Sequence, residues 1–376
     1  MRYTAIATWA VFGAACAADR SAEWSVSVDT LPSGTVHVIN AGEGRWSSGS
    51  RWSLMEAVKI GERNEAGPAL FGDISDIDVD PLGRLYVLDR MAQEIRVFEA
   101  DGQHIRTIGR LGSGPGEFLG VTGIAMDPQG RLWTLNQVNL RFSVFDSSGA
   151  LFAEYPWNFR GAASAQWMST FDAAGHLLHV VYYWSPTGVH TGLVSYDPMT
   201  QQDLDTLPTA GLPEGAPPLT LRVWLAPQAW WIGAQHEYRV WNVTHRGDTL
   251  KVVERRRGAE RLSPAERDSA RREEQALQRR VVSGSLDMDT ERRPIFEALA
   301  VDPDGYLWVI LAPEPGERDT RLDVFDPDGV YLGELVAPHT INPRVPVVFH
   351  GQRLYYVIRD EMDVAAVVGV DIQRGP

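Results

Sequence analysis

Apolar and polar residues alternate in short runs along this chain, and the runs return with the same punctuation. One unit reads IDVDPLGRLYVLD at Ile77–Asp89, and again IAMDPQGRLWTLN at Ile124–Asn136. It recurs as ALAVDPDGYLWVIL at Ala298–Leu311 and, more loosely, as STFDAAGHLLHVV at Ser169–Val181. Degenerate copies are VWLAPQAWWIGA at Val223–Ala234 and VVFHGQRLYYVI at Val347–Ile358. Each copy has two arms of period-two alternation around a turn closed by glycine, which predicts a β-hairpin. A second hairpin follows most copies, as in EIRVFEADGQHIRTIG at Glu94–Gly109 and RLDVFDPDGVYLGEL at Arg321–Leu335. Two successive hairpins make a four-stranded meander. The turn glycines Gly83, Gly130 and Gly175 are 47 and 45 residues apart, and Gly305 and Gly351 are 46 apart. A period of that length, repeated six times, predicts a β-propeller rather than one sheet. The six units start near Ile74, Val121, Ala165, Arg222, Phe296 and Val345.

The sixth unit, ending in VAAVVGVDI at Val364–Ile372, supplies only three strands. The segment Arg51–Ile74 matches the fourth strand and connector of the first unit, since Gly67-Pro68 and Gly114-Pro115 are 47 apart. Trp52–Ile60 is therefore expected to close the ring as the outer strand of blade 6, leaving no open face. The fold class is all-β: a six-bladed β-propeller of four-stranded antiparallel blades, with an N-terminal strand closing the last blade and one inserted helix. Residues 51–373 form the propeller. Within residues 19–50, Ser25–Asn40 has a hairpin pattern, expected on the outside of the last blade.

The string IRTIGRLGSGPGEF followed by GIAMDPQGRLWTL resembles the NHL repeat, and six such units resemble the bacterial NHL/TolB-like six-bladed propellers. The resemblance covers about Trp52 to Ile372 and is most specific in the first two blades. It implies the fold strongly and function hardly at all, because such propellers include binding modules, lactone hydrolases and lyases.

Two insertions interrupt the repeat. Residues 260–283 contain SPAERDSARREEQALQRR, where Ser263, Pro264 and Glu266 form a helix start with a capping box. The helix is mostly polar and reads as a solvated decoration, with a lid as the alternative. Thr209–Leu219 is a proline-rich loop, and both insertions fall at connectors between blades.

Net charge is −14, with 49 acidic against 35 basic residues, which excludes a nucleic-acid partner and an anionic membrane surface. Residues 1–18 read as a signal peptide: Arg2, an uncharged run, then Cys16, the one cysteine in the chain. Export to a periplasm or cell surface is expected. Cys16 is a candidate lipid acceptor and would give the one membrane association, although Gly13 stands where a lipobox has an aliphatic residue. One cysteine allows no intrachain disulfide.

None of the nine histidines has metal-site spacing, and no nucleophile or phosphate-loop motif is present. The Asp-Pro-x-Gly turns at Asp80, Asp127 and Asp302 read as structural turns, because aspartate caps backbone N–H groups at their first position. GSGPGEF at Gly112–Phe118 reads as a connector. His176 and His179 flank a hairpin turn, where exposed polar residues are ordinary. Starts of the inner strands place Asp76, Gln166, Trp167, Arg222, Trp224, Glu297 and Arg344 at one mouth of the central channel, with Asp73 beside them. Lactonase-like propellers hold a divalent metal there, but only Asp73, Asp76 and Glu297 could contribute carboxylates, against two arginines. The reading is a monomeric, non-catalytic module without a cofactor that binds a protein or small polar ligand at the mouth. The alternative is a metal-dependent hydrolase or lyase using the same channel.

Overall fold

In a computed structural model the chain is a six-bladed propeller. The structure describes residues 24–47, 49–61, 67–157, 162–163, 169–185, 188–197, 199–200, 202–208, 221–225, 229–279, 289–314 and 317–375. Blade 1 is the antiparallel meander Ile74–Val79, Leu85–Asp89, Glu94–Phe98 and His104–Ile108. Blades 2 to 5 repeat it, their inner edges at Val121–Met126, Ser169–Phe171, Leu221–Leu225 and Phe296–Val301. Blade 6 begins at Val348–His350 and takes its outer strand, Ser53–Ile60, from the N-terminal part of the chain. The expected closure is thus present.

Alternation along each strand sends successive side chains to opposite faces of its blade. On the second strand of blade 1, Leu85 and Val87 pack against Tyr355, Val357 and Val367 of blade 6. Their neighbours Tyr86 and Leu88 pack against Ile124, Leu132 and Phe145 of blade 2. The same division gives an apolar layer at every blade junction among the described residues. The core is therefore a ring of layers rather than one centre.

The turns hold as the sequence implies. Asp127 accepts the Gln129 and Arg131 backbone N–H groups with one oxygen, and Arg131 Nε and Trp133 Nε1 with the other. Asp80 and Asp302 do the same work in blades 1 and 5. The turn glycines Gly83, Gly130, Gly175, Gly305 and Gly351 all have positive φ, which other residues adopt only with strain. In the GSGPGEF connector, Glu117 accepts Gly114 N–H at 2.8 Å and pairs with Arg110.

The N-terminal hairpin corrects an expectation. Ser25–Thr30 and Val36–Ala41 extend blade 4, not the last blade, with the second strand running parallel to Thr249–Arg255. The reason lies in Asn40 and its surroundings. Its amide donates to Gly329 O at 3.0 Å and accepts Tyr331 N–H at 2.8 Å, both on blade 5, while His37 meets Glu254 of blade 4 at 2.6 Å. Beyond Asn40 the chain follows the outer edge of blade 5, where Arg45 and Trp46 donate N–H to Tyr331 and Leu332 carbonyls. Trp52 then packs against Tyr306 and Trp308 before the closing strand begins. One segment so binds blades 4, 5 and 6 from outside.

The helix Pro264–Gln278 starts with the expected capping box, Ser263 N–H to Glu266 at 2.9 Å and Glu266 N–H to Ser263 Oγ at 3.4 Å. Arg267 and Arg271 tie it to Glu291. Among the described residues no helix is long and apolar enough to cross a membrane.

Candidate functional site: the channel mouth

In a four-stranded meander, the starts of the inner strands, the loops joining second to third strands, and the connectors between blades all lie on one face. That face is the candidate site. Its inner strands share an irregularity. Pairing slips between Ile74 and Asp76 in blade 1, between Val121 and Ile124 in blade 2, and between Phe296 and Ala298 in blade 5. Ser75, Thr122 and Glu297 sit in these bulges, at equivalent positions of the repeat. Bulges re-aim side chains and recur beside functional sites. The Ser75 and Thr122 hydroxyl oxygens are buried and meet no hydrogen-bond partner among the described residues, and Glu297 is half-buried beside the channel.

Asp76 is buried and fully engaged. One oxygen accepts its neighbour Ile77 N–H, the other Ile124 N–H of blade 2 at 2.9 Å. Asp78, two residues on, repeats the pattern with Val79 and Met126 N–H. The inner edge of a propeller sheet presents backbone N–H groups that no further strand covers, and these carboxylates cap those of blade 2 from blade 1. Burial holds the Asp76 carboxyl well above the usual carboxylate range, against the lowering by its N–H donors and with a further push from Asp78. Burial likewise pushes Asp78 up to about 6.

Asp73 is engaged too. Arg90 of blade 1 and Arg359 of blade 6 both pair with it, across the junction where the ring closes. Of the three carboxylates that could have met a metal, Asp73 is therefore held by two cations and Asp76 by two backbone donors. Among the described residues no group of three or more His, Cys, Asp or Glu side chains could hold a metal ion.

The remaining expected residues divide. Arg344 is exposed in the connector into blade 6 and makes no ion pair among the described residues. Arg222 and Trp224 lie on the inner strand of blade 4, where only the backbone is described. Gln166, Trp167 and Cys16 fall outside the described residues, as does Thr209–Leu219. His179 corrects the expectation of an exposed turn residue: it is buried, and its Nδ1 lies 2.6 Å from Ser169 Oγ on the inner strand of blade 3. Thr122 belongs with the inner-strand starts that the sequence places at the mouth, whereas Asp78 and Ser75 were missed by sequence reasoning. The signal for Asp78 was present, since carboxylates at 76 and 78 share one face of a strand where blades 2 and 5 have Gly123, Ala125, Ala298 and Ala300.

A family model, DUF5128, described as a 6-bladed beta-propeller, matches residues 67–155, which span blades 1 and 2. No curated protein matches the sequence. Among solved structures, a Bacteroides fragilis protein described as exported has a TM-score of 0.55 at 12% identity, covering 90% of this chain and 100% of that one. A duf4221 family member from Bacteroides vulgatus has a TM-score of 0.53 at 11% identity, covering 87% and 100%. The virginiamycin B lyase of Staphylococcus aureus has a TM-score of 0.48 at 11% identity, covering 85% and 99%. At these identities the likeness is one of fold: the chain is a six-bladed β-propeller of a kind found in bacteria.

Proposed function

We propose that this chain is an exported, NHL/TolB-like binding propeller that takes a protein or a small polar ligand at the channel mouth, without catalysis. The observation that carries the reading is the engagement of Asp73 and Asp76. Asp73 and Asp76 are bound to guanidinium and backbone N–H groups, while Arg344 stands exposed at the rim and Glu297 lies half-buried at a bulge, polar groups suited to meeting a polar partner. Export follows from the character of residues 1–18 and agrees with the description of the Bacteroides fragilis neighbour. A lipid anchor at Cys16 belongs to the same proposal.

The test is a thermal-shift panel of sugars, sugar lactones, amino acids and short peptides, repeated with Glu297→Gln. A hit whose stabilisation is lost in that variant supports the reading. Stoichiometric bound metal with chelator-sensitive lactone hydrolysis would replace it with the hydrolase alternative. Mass spectrometry of the mature N-terminus reads the address: a diacylated Cys16 marks the anchor, a terminus beyond Cys16 marks a soluble exported form, and an intact Met1 would refute export.

A further inference from the structure

The mouth face is not uniform around the ring. Leu70, Met91, Leu111, Val138, Leu140 and Met362 are large apolar side chains between 45 and 74% exposed. All six lie on this face, in the second-to-third-strand loops of blades 6, 1 and 2 or the connectors into blades 1 and 2. Over blades 4 and 5 the corresponding loops present Glu237, Glu314, Glu317 and Arg318 among the described residues. The opposite end is built largely of aspartate-capped turns, and its exposed apolar residues, Leu31, Leu82, Phe152, Met199 and Leu250 among them, are distributed over four blades.

These side chains are presented on fixed loops. Asp89, itself buried and paired with Arg96, accepts both Met91 and Ala92 N–H at 3.1 Å. Met91 lies over Gly72 and Val138 over Gly120, so tightly that a Cβ on either glycine would come within 3.0 Å of them. Gln93 Oε1 accepts Val121 N–H, tying the loop of blade 1 to the start of blade 2. A patch of this kind on a soluble protein marks an interaction surface, and methionine adapts to varied partners. Its shape is a loop rim across three blades, which suits an extended chain rather than a small molecule. Arg344, exposed and without an ion pair among the described residues, supplies a cation on the same face at blade 6, complementary to a carboxylate on the partner.

We infer that the loops of blades 6, 1 and 2 form a docking surface for an extended segment of another polypeptide that carries apolar side chains and at least one carboxylate. The inference rests on the binding reading of this face and names its partner class. Apolar side chains of the segment cover Met91, Val138 and Met362, and its carboxylate meets Arg344.

The test uses three fluorescein-labelled synthetic peptides on the full chain: one alternating Leu or Phe with Glu, one with Lys replacing Glu, and one with Ser replacing the apolar residues. Binding is read by anisotropy, and by the methyl signals of ¹³C-labelled methionine. The apolar acidic peptide is expected to bind best and to move the Met91 and Met362 signals. A Met91→Glu/Val138→Glu/Met362→Glu variant should lose at least tenfold in affinity, while Leu82→Glu on the opposite face should not. Arg344→Glu should shift preference toward the Lys peptide. Single substitutions Met91→Ser and Met362→Ser give the same reading should the triple variant fail to fold. The inference is overturned if no peptide binds, if the rim variants bind as the parent does, or if the parent dimerises in sedimentation and the rim variants do not. A small polar ligand lost in Glu297→Gln but retained in the rim variants, with no peptide bound, would overturn the docking surface and leave the channel reading standing.

Discussion

Asp323 is fully buried on the third strand of blade 5 and accepts three donors from two blades. Tyr331 donates to one oxygen at 2.8 Å; Tyr238 and Arg255 of blade 4 both donate to the other. Arg255 also lies 4.0 Å from the centre of the Tyr331 ring. Replacing Asp323 with alanine would leave a guanidinium at the blade junction without its counterion and both phenols without an acceptor. Summing separate hydrogen bonds overshoots, because three donors share one carboxylate. The relevant magnitude is that of breaking a buried pair from one side, about 3–5 kcal/mol. For a chain of 376 residues that corresponds to a fall in melting temperature of roughly 4–6 °C. Urea unfolding followed by tryptophan fluorescence and by circular dichroism measures it. Asp323→Leu with Arg255→Met should recover the part of the loss that comes from the unpaired guanidinium, while Tyr238 and Tyr331 still lack their acceptor. A loss below about 1 kcal/mol in Asp323→Ala would refute the claim that this cluster joins blades 4 and 5.

Deleting residues 51–61 removes the outer strand of blade 6 and should abolish cooperative unfolding; a melt like that of the full chain would show that the ring closes otherwise. Arg374 lies between Trp52 and Tyr306, at 4.7 and 4.8 Å, and pairs with Asp302 and Asp304, so Arg374→Ala should cost about 1–3 kcal/mol in urea unfolding. Asp78 binds its proton more tightly in the folded chain than in the unfolded one, so its contribution to stability is complete below about pH 4 and is lost as pH rises through about 6. The decline in urea midpoint over that window should shrink in Asp78→Ala.

The blade count, the strand starts and the closing strand were legible because alternation and turn chemistry are local. Leu85 to Asp89 announces a strand buried on both faces by having no strongly polar residue before Asp89, and Asp-Pro-x-Gly announces its turn. The site was less legible. Asp73 and Asp76 look alike in sequence to metal ligands, and only the fold reveals that their partners come from Arg359, 286 residues away, and Ile124, 48 away. The bulges at Ser75, Thr122 and Glu297 depend on register, which alternation alone does not fix. The hairpin at Ser25–Thr30 and Val36–Ala41 was recognised as a hairpin but given the wrong neighbour, because its place beside blade 4 is set by contacts over 200 residues away, of Thr35 with Thr249 and of His37 and Asn40 with Glu254.

The closing strand carries a consequence for the order in which the molecule is made. Ser53 pairs with Gln373, 320 residues further on. A chain built from its N-terminus exposes Ser53–Ile60 early, and the partner of that strand emerges only after five blades have been made. The N-terminal hairpin finds its partners as soon as Lys251–Arg255 of blade 4 and Gly329 and Tyr331 of blade 5 exist, but until blade 6 is closed blades 1 to 5 have an unpaired flank at each end. A product cut short anywhere before Ala365–Gln373 cannot form a ring at all. Closure itself thus reports that blade 6 has been made, and a protease that attacks loose strands would sort closed rings from open ones.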